Sequence, residues 1–296
     1  MKVLNIGSMN LDHVYNVDHI ILPGETQATT GLNLFLGGKG MNQSIALAKA
    51  GVEVYHGGMI GKDGYAFIDA CKEYGVHYDY IREAEGNTGH TIIQIDKNAQ
   101  NSILLFAGTN DMLTESYVDE VIADFEEGDI LLLQNEVNML PYMVDKAYEK
   151  GMQIALNPSP FNEKLNDVDM SKISYFLMNE VEGGQITGFS EPEKIIDRVV
   201  ELYPEAKIVL TLGSDGAIYA DKNVRYHQPI FKVQAVDTTA AGDTFTGYFL
   251  AGIIEGMAIP EILKMSAKAS SIAVTRQGAV PSIPYKEEVL ASLKED

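Results

Sequence analysis

Asp243 closes the run Ala240-Ala241-Gly242-Asp243, a carboxylate after three small side chains. The longer stretch Asp237-Thr238-Thr239-Ala240-Ala241-Gly242-Asp243-Thr244-Phe245-Thr246-Gly247 lies between a strand-like segment, 231–236, and an apolar helix-like segment, 248–254. Small residues at such a junction let the backbone turn tightly and aim several amide N–H groups at one point. The helix N-terminus adds partial positive charge there, so the point suits an anion. A phosphate cradle beside a carboxylate is the chemistry of phosphoryl transfer, which needs alignment and charge neutralisation more than covalent steps. The same residues also describe an ordinary helix start with Asp243 as its N-cap. On this stretch alone the two readings stand level.

A second glycine-rich run, Leu36-Gly37-Gly38-Lys39-Gly40-Met41-Asn42-Gln43-Ser44, opens the helix-like segment 45–50. It is not a Walker A loop, because the glycine spacing is wrong and Lys39 is followed by Gly40 rather than Ser or Thr. Its glycines let a ligand approach the backbone, and Lys39 and Asn42 project polar heads into that approach. A hinge with a solvated lysine is the plainer alternative, but a hinge does not call for Lys39 and Asn42. After the first strand, 2–6, come Asn10 and Asp12, which share a face if extended. An Asx turn is the leading account of that pair taken by itself. Further apolar runs end in Gln134-Asn135-Glu136, Asn157-Pro158-Ser159-Pro160, Met178-Asn179-Glu180-Val181-Glu182 and Thr211-Leu212-Gly213. In series, these ends point to one composite site along the C-terminal edge of a sheet.

The elements that must position these residues follow from pattern. Near-continuous apolar runs imply strands buried on both faces, hence a mostly parallel sheet. The intervening segments, such as 142–150 and 192–202, have helical spacing. The expected class is therefore α/β, three-layered, with helices on both faces of the central sheet. Four alternating, half-exposed stretches (13–20, 26–35, 88–96 and 101–106) break this rhythm. They predict a small antiparallel sheet built from two insertions, 13–35 and 88–106, within a single domain spanning 1–296. Such a sheet can serve as a lid, or bury its apolar face against a second subunit.

The formal net charge of −20 argues against nucleic-acid or anionic-membrane partners, which need a basic footprint. The single cysteine, Cys71, excludes an internal disulfide and reads as a core residue. None of the six histidines has metal-ligand spacing, and no serine sits in a G-x-S-x-G elbow. No signal peptide or bilayer-length apolar run is evident, so a soluble, cytoplasmic protein is expected.

The two glycine-rich segments together, with Gly51 and Gly61 after the first, resemble the signatures of the ribokinase-like family of sugar and nucleoside kinases. The resemblance covers essentially the whole chain, and it carries implications position by position. Asn10, Asp12, Gly38, Lys39, Asn42 and Glu136 match positions that bind sugar hydroxyls. Asp243 matches the catalytic base, and Ala240, Ala241 and Gly242 match the anion hole. Asn179, Thr211 and Gly213 match nucleotide contacts, with Gly242 beside the phosphates, and Glu182 falls in the motif linked to magnesium and phosphate. Asp237, Thr239, Ala273, Arg276, Gly278 and Ser282 match a monovalent-cation site, usually potassium.

The implied activity is ATP- and Mg2+-dependent phosphorylation of a sugar's primary hydroxyl, D-ribose to ribose 5-phosphate above others. A kinase for fructose, 2-keto-3-deoxygluconate or a nucleoside is the alternative, with Tyr15, Phe35 and Phe106 as a shelf for a base. A non-catalytic sensor ranks lower, because Asp243 and the small residues before it are intact. The lid also implies a homodimer. Two departures stand out: Met178 replaces a proline common before the asparagine, and of the lid residues Thr91 and Leu105, at positions that tend to be small or branched apolar, Thr91 is more polar than expected.

Overall fold

The computed structural model describes residues 1–98 and 100–295. Ala99, inside the second insertion, and Asp296, at the end of the expected domain, lie outside the described residues. The chain runs β1 (Val3–Ile6), β2 (Asn10–Asn16), β3 (Gly31–Gly37), α1 (Lys39–Lys49), β4 (Val54–Ile60), α2 (Tyr65–Tyr74), β5 (His77–Glu83), β6 (Gly89–Ile95) and β7 (Asn101–Phe106). It continues through α3 (Glu115–Ala123), β8 (Ile130–Gln134), α4 (Leu140–Lys150), β9 (Gln153–Asn157), β10 (Tyr175–Asn179), α5 (Glu180–Thr187), α6 (Pro192–Leu202) and β11 (Lys207–Thr211). It ends with β12 (Ala217–Ala220), β13 (Arg225–Gln228), α7 (Ala241–Ile254), α8 (Ile259–Ala273) and α9 (Lys286–Glu295).

The large sheet has the order β13-β12-β11-β10-β9-β8-β1-β4-β5. It is parallel from β11 to β5, with β12 and β13 added antiparallel at one edge. Alternate side chains of each strand enter different cores. Val3, Ile130 and Leu132 join α1, α7 and α8 on one side, through Ile45, Phe249 and Leu263. Leu4, Leu131 and Leu133 join α3, α4 and α6 on the other, through Val118, Met143 and Ile196. This is the three-layer arrangement expected from strands apolar at every position.

The small sheet has the order β3-β2-β6-β7. Two antiparallel pairs, β2 with β3 and β6 with β7, meet at a parallel β2–β6 junction. One face, carrying Asp12, Val14, Phe35, Thr91, Ile93 and Leu105, looks onto the central cavity. The opposite face carries the exposed side chains Leu32, Leu34, Leu104 and Phe106.

Two local readings need correction. Asn10 and Asp12 are not an Asx turn. They belong to β2, paired to Gly37 and Phe35 on one side and to Gly89 and Thr91 on the other. The strand expected over 13–20 therefore starts and ends earlier, and the stretch beyond it is held by side-chain bonds such as Gln27 Oε1 accepting from the Asp18 amide at 2.8 Å. Nor does Asp243 cap its helix. The N-cap of α7 is Ala240, which makes no side-chain cap bond, and Asp243 stands inside the first turn.

Candidate active site

A cavity of about 1000 Å3 lies between the C-terminal edge of the large sheet and the inner face of the small one. Its centre is the start of α7. Ala240 adopts φ 60°, a left-handed conformation that costs a residue with a Cβ on the order of 1 kcal/mol or more. That turn leaves the amides of Gly242 and Asp243 without a backbone acceptor among the described residues; the Thr244 amide is the first to close the helix, onto the Ala240 carbonyl at 2.8 Å. A Cβ at Gly242 would meet open space, so the free amides border a volume that a ligand group can fill.

Asp243 is buried and its two oxygens have separate partners. Asn42 Nδ2 donates to Oδ2 at 3.0 Å, and Gln43 Nε2 donates to Oδ1 at 2.8 Å. This meeting depends on a close crossing of α1 and α7. A Cβ on Gly247 would come within 2.4 Å of the Ala46 Cβ, so only glycine lets the helices approach this far. Asp243 lies one turn before Gly247, and Asn42 and Gln43 lie about one turn before Ala46 and Leu47.

The rest of one end of the cavity is polar and charged. Glu136 Oε2 accepts from the Lys39 amide at 3.0 Å and from the Ser8 hydroxyl, while its Oε1 lies 3.9 Å from Lys39 Nζ. Burial works to lower the Lys39 pKa, but Glu136, then Asp243, Glu182 and Asp12, outweigh it and hold the ammonium above its usual range. Asp12 accepts from the Thr91 hydroxyl at 2.5 Å. Burial pushes its pKa up to about 6; the Thr91 bond pulls it down and Glu136 pushes it up again. Asn10 Oδ1 accepts from Asn110 Nδ2 at 2.8 Å, and Asn110 also receives the Met9 amide at 3.0 Å, so it clamps the β1–β2 connection.

At the other end, Asn179 caps α5 by accepting from the Val181 and Glu182 amides at 2.8 and 3.1 Å. Glu182 completes a capping box by accepting the Asn179 amide at 2.9 Å, and its buried carboxylate borders the cavity. Thr211 lines the same end, whereas Gly213 starts a short 3-10 turn outside the lining. Asp237 accepts from the Thr239 and Gly278 amides, both at 2.9 Å. Burial raises the Asp237 pKa, but these bonds outweigh it and bring the carboxyl below its usual range. Asp237, Thr239 and Gly278 line the cavity, whereas Ala273, Arg276 and Ser282 are not part of its lining. The Arg276 side chain turns away to Glu288 and the Ser282 carbonyl, so Arg276 can offer the cavity side only its backbone.

The sequence-expected sugar positions Asn10, Asp12, Gly38, Lys39, Asn42, Glu136 and Asp243 thus share one cavity with Asn179, Glu182, Thr211 and the Ala240–Gly242 turn. Gln43 and Asn110 have no role assigned from sequence, and Gln134 only a place in the row of polar strand ends. For Gln43 a signal existed, its place beside Asn42; for Asn110 none did.

A profile of the pfkB family of carbohydrate kinases matches residues 1–286. The chain belongs to the pfkB family of carbohydrate kinases. Among relatives of this pfkB kinase, the ribokinase of Haemophilus influenzae is 33% identical over 298 residues, covering 98% of this chain and 97% of the relative. The ribokinase structure from Thermotoga maritima superposes with a TM-score of 0.88 at 33% identity, covering 99% of each chain. The Arabidopsis thaliana ribokinase complexed with ribose and ATP gives a TM-score of 0.88 at 28% identity, covering 99% of this pfkB kinase and 98% of that chain. Among the described residues no helix is long and apolar enough to cross a membrane.

Proposed function

We propose that this chain is an ATP-dependent ribokinase that converts D-ribose to ribose 5-phosphate. One observation carries the reading: the two glycine-rich segments meet at a single carboxylate, with Asn42 on Asp243 and the free amides of Gly242 and Asp243 beside it. Asn10, Asp12, Gly38, Lys39, Asn42 and Glu136 hold the sugar hydroxyls. Asp243 orients the primary hydroxyl and takes its proton as the phosphoryl group is transferred. The free amides of Gly242 and Asp243, with Ala240 setting the turn and the Ala241 amide turned to the Thr238 carbonyl at 3.3 Å, receive the negative charge on the transferring group. Asn179, Thr211 and Gly213 contact the nucleotide, Gly213 from outside the cavity wall.

The donor set fits the two cations that the family resemblance implies. Mg2+ takes one or two carboxylates plus substrate phosphates, and Glu182 offers a buried carboxylate at the phosphate end. Mg2+ supplies charge neutralisation at those phosphates. A monovalent cation such as K+ takes oxygens, and Asp237, the carbonyls of Thr239, Ala273, Arg276 and Gly278, and Ser282 are all oxygen donors next to the α7 turn. That cation would brace the turn.

The small sheet acts as a lid on a single domain, its inner face closing over the sugar to exclude water. Its exposed outer face, with Leu34, Leu104 and Phe106, packs against a second copy of the chain. With ATP as donor, the reaction belongs in the cytoplasm.

The test is a coupled ADP-release assay over D-ribose, fructose, 2-keto-3-deoxygluconate and nucleosides, with and without K+. Ribose is expected to outperform the others, and K+ to raise its rate. The Thr91 hydroxyl on Asp12 favours a second reading, a sugar with a further hydroxyl at that end, and superiority of such a sugar in the panel would replace ribose while leaving the kinase reading in place.

A further inference from the structure

Behind Asp243 runs a line of buried side-chain amides whose direction is set by one backbone group. Asn5, Gln43 and Gln134 are fully buried. The line starts at the Gly40 carbonyl, which can only accept. Asn5 Nδ2 donates to that carbonyl at 2.8 Å, and to Ser44 Oγ at 2.8 Å. The Asn5 amide therefore cannot be turned over, and its Oδ1 must accept. Gln134 Nε2 donates to Asn5 Oδ1 at 3.1 Å and to Gln43 Oε1 at 2.7 Å. With its oxygen committed, Gln43 must present its NH2 group to Asp243 Oδ1, at 2.8 Å. On the other branch, the Ser44 hydroxyl, which accepts from Asn5, is hydrogen-bonded to His56 Nδ1 at 2.8 Å.

Gln134 Oε1 is buried with no protein hydrogen-bond partner. Turning the Gln134 amide over would change that oxygen's surroundings, but it would set carbonyl oxygen against the oxygens of Asn5 and Gln43. The sense of the line is kept at the cost of one unpaired buried oxygen.

We infer that Gln43 and Gln134 are positioning residues that fix the rotation of the Asp243 carboxylate: one oxygen is held by Gln43 from the core side, so that the other, shared with Asn42, is presented to the cavity. The inference rests on Asp243 being the base of the proposed kinase. The charged groups that share its surroundings are Lys39, Glu136, Glu182 and Asp12 on the cavity side, with His56 at the far end of the line.

The test compares full-length wild type, Gln43→Glu and Gln43→Met for ribose-dependent ADP release across pH, with thermal midpoints to verify folding. Both substitutions keep length and shape. At about pH 8, kcat is expected to fall roughly 10- to 100-fold in both, with the KM for ribose within about threefold, because misorientation of a reacting group affects the rate more than binding. In Gln43→Glu, several-fold of that loss should return towards about pH 5.5, where the new carboxyl gains a proton and can donate again. Gln43→Met should show no such return. A Gln43→Glu enzyme within twofold of wild type, or a folded one whose loss does not recover on acidification, overturns the inference. If neither variant folds, Gln134→Met takes their place: a kcat loss of about 3- to 10-fold at constant KM supports the inference, and no loss, or a loss only in KM, overturns it. A wild type inactive on every sugar refutes the kinase reading and the inference with it, whereas an active wild type with indifferent variants refutes the inference alone.

Discussion

Gly242 separates function from packing at a single residue. A Cβ there touches nothing in the protein, so Gly242→Ala should change stability by no more than about 0.5 kcal/mol. It would nonetheless enter the volume bordered by the free amides, and kcat should fall by roughly 10²-fold or more, the scale of losing one anion-hole donor. Steady-state kinetics beside urea unfolding checks both halves. Asp12 makes a second prediction. With its pKa near 6, it is ionised above that pH and protonated below, and an ionised carboxylate binds a hydroxyl more strongly. The KM for ribose should therefore rise as pH falls through about 6. Thr91→Val removes the bond that pulls this pKa down, so the same rise should begin at higher pH. Asp12, Asn42 and Asp243 were legible in the sequence because their side chains are the chemistry. Gln43 and Gln134 were not, because a neutral amide acquires meaning only from partners such as Asp243, 200 positions from Gln43.

Elements set the distances that these residues need. The α1–α7 crossing is fixed by Gly247 against Ala46, and Gly247→Ala must push the helices apart. A destabilisation of about 1–3 kcal/mol is expected, together with a loss of kcat, because Asp243 moves away from Asn42 and Gln43. Gly242→Ala should affect rate only, so the pair distinguishes the two effects. His56 joins β4 to α1 through Ser44, and burial lowers its pKa from 6.5 to about 4. Between those values the unfolded chain takes up a proton that the folded chain does not. Stability is therefore lost as pH falls through that window, by up to about 3 kcal/mol. His56→Gln should flatten this slope in denaturant titrations. The helices and the buried parallel strands were legible from apolar period and run length. The start of β2 was not, since Asn10 and Asp12 have turn-forming side chains and only pairing with β3 and β6 makes them a strand.

For the whole molecule, the three-layer architecture followed from strands apolar at every position, but the partners of the second sheet do not follow from its alternation. Its outer face leaves Leu34, Leu104 and Phe106 exposed, an apolar surface of the kind that a second chain covers. If that chain is another copy, sedimentation should show a dimer in the wild type and a monomer for Leu104→Lys, with the large sheet's stability little changed. A monomeric wild type would remove the dimer and leave the site as described. With a net charge of −20, the overall field does not attract an anionic nucleotide, so the free amides of Gly242 and Asp243 make the local balance at the cavity more telling.

In the proposed reaction Asp243 takes the proton of a sugar hydroxyl as phosphate is transferred to it. The measurement that tests it most directly is ribose-dependent ADP formation by wild type and Asp243→Asn, each shown to be folded and to bind ribose. With Asp243 as the base, kcat should be lower by about 10²- to 10⁴-fold in the variant, the usual contribution of a positioned general base. Turnover by Asp243→Asn within a few-fold of wild type would contradict it.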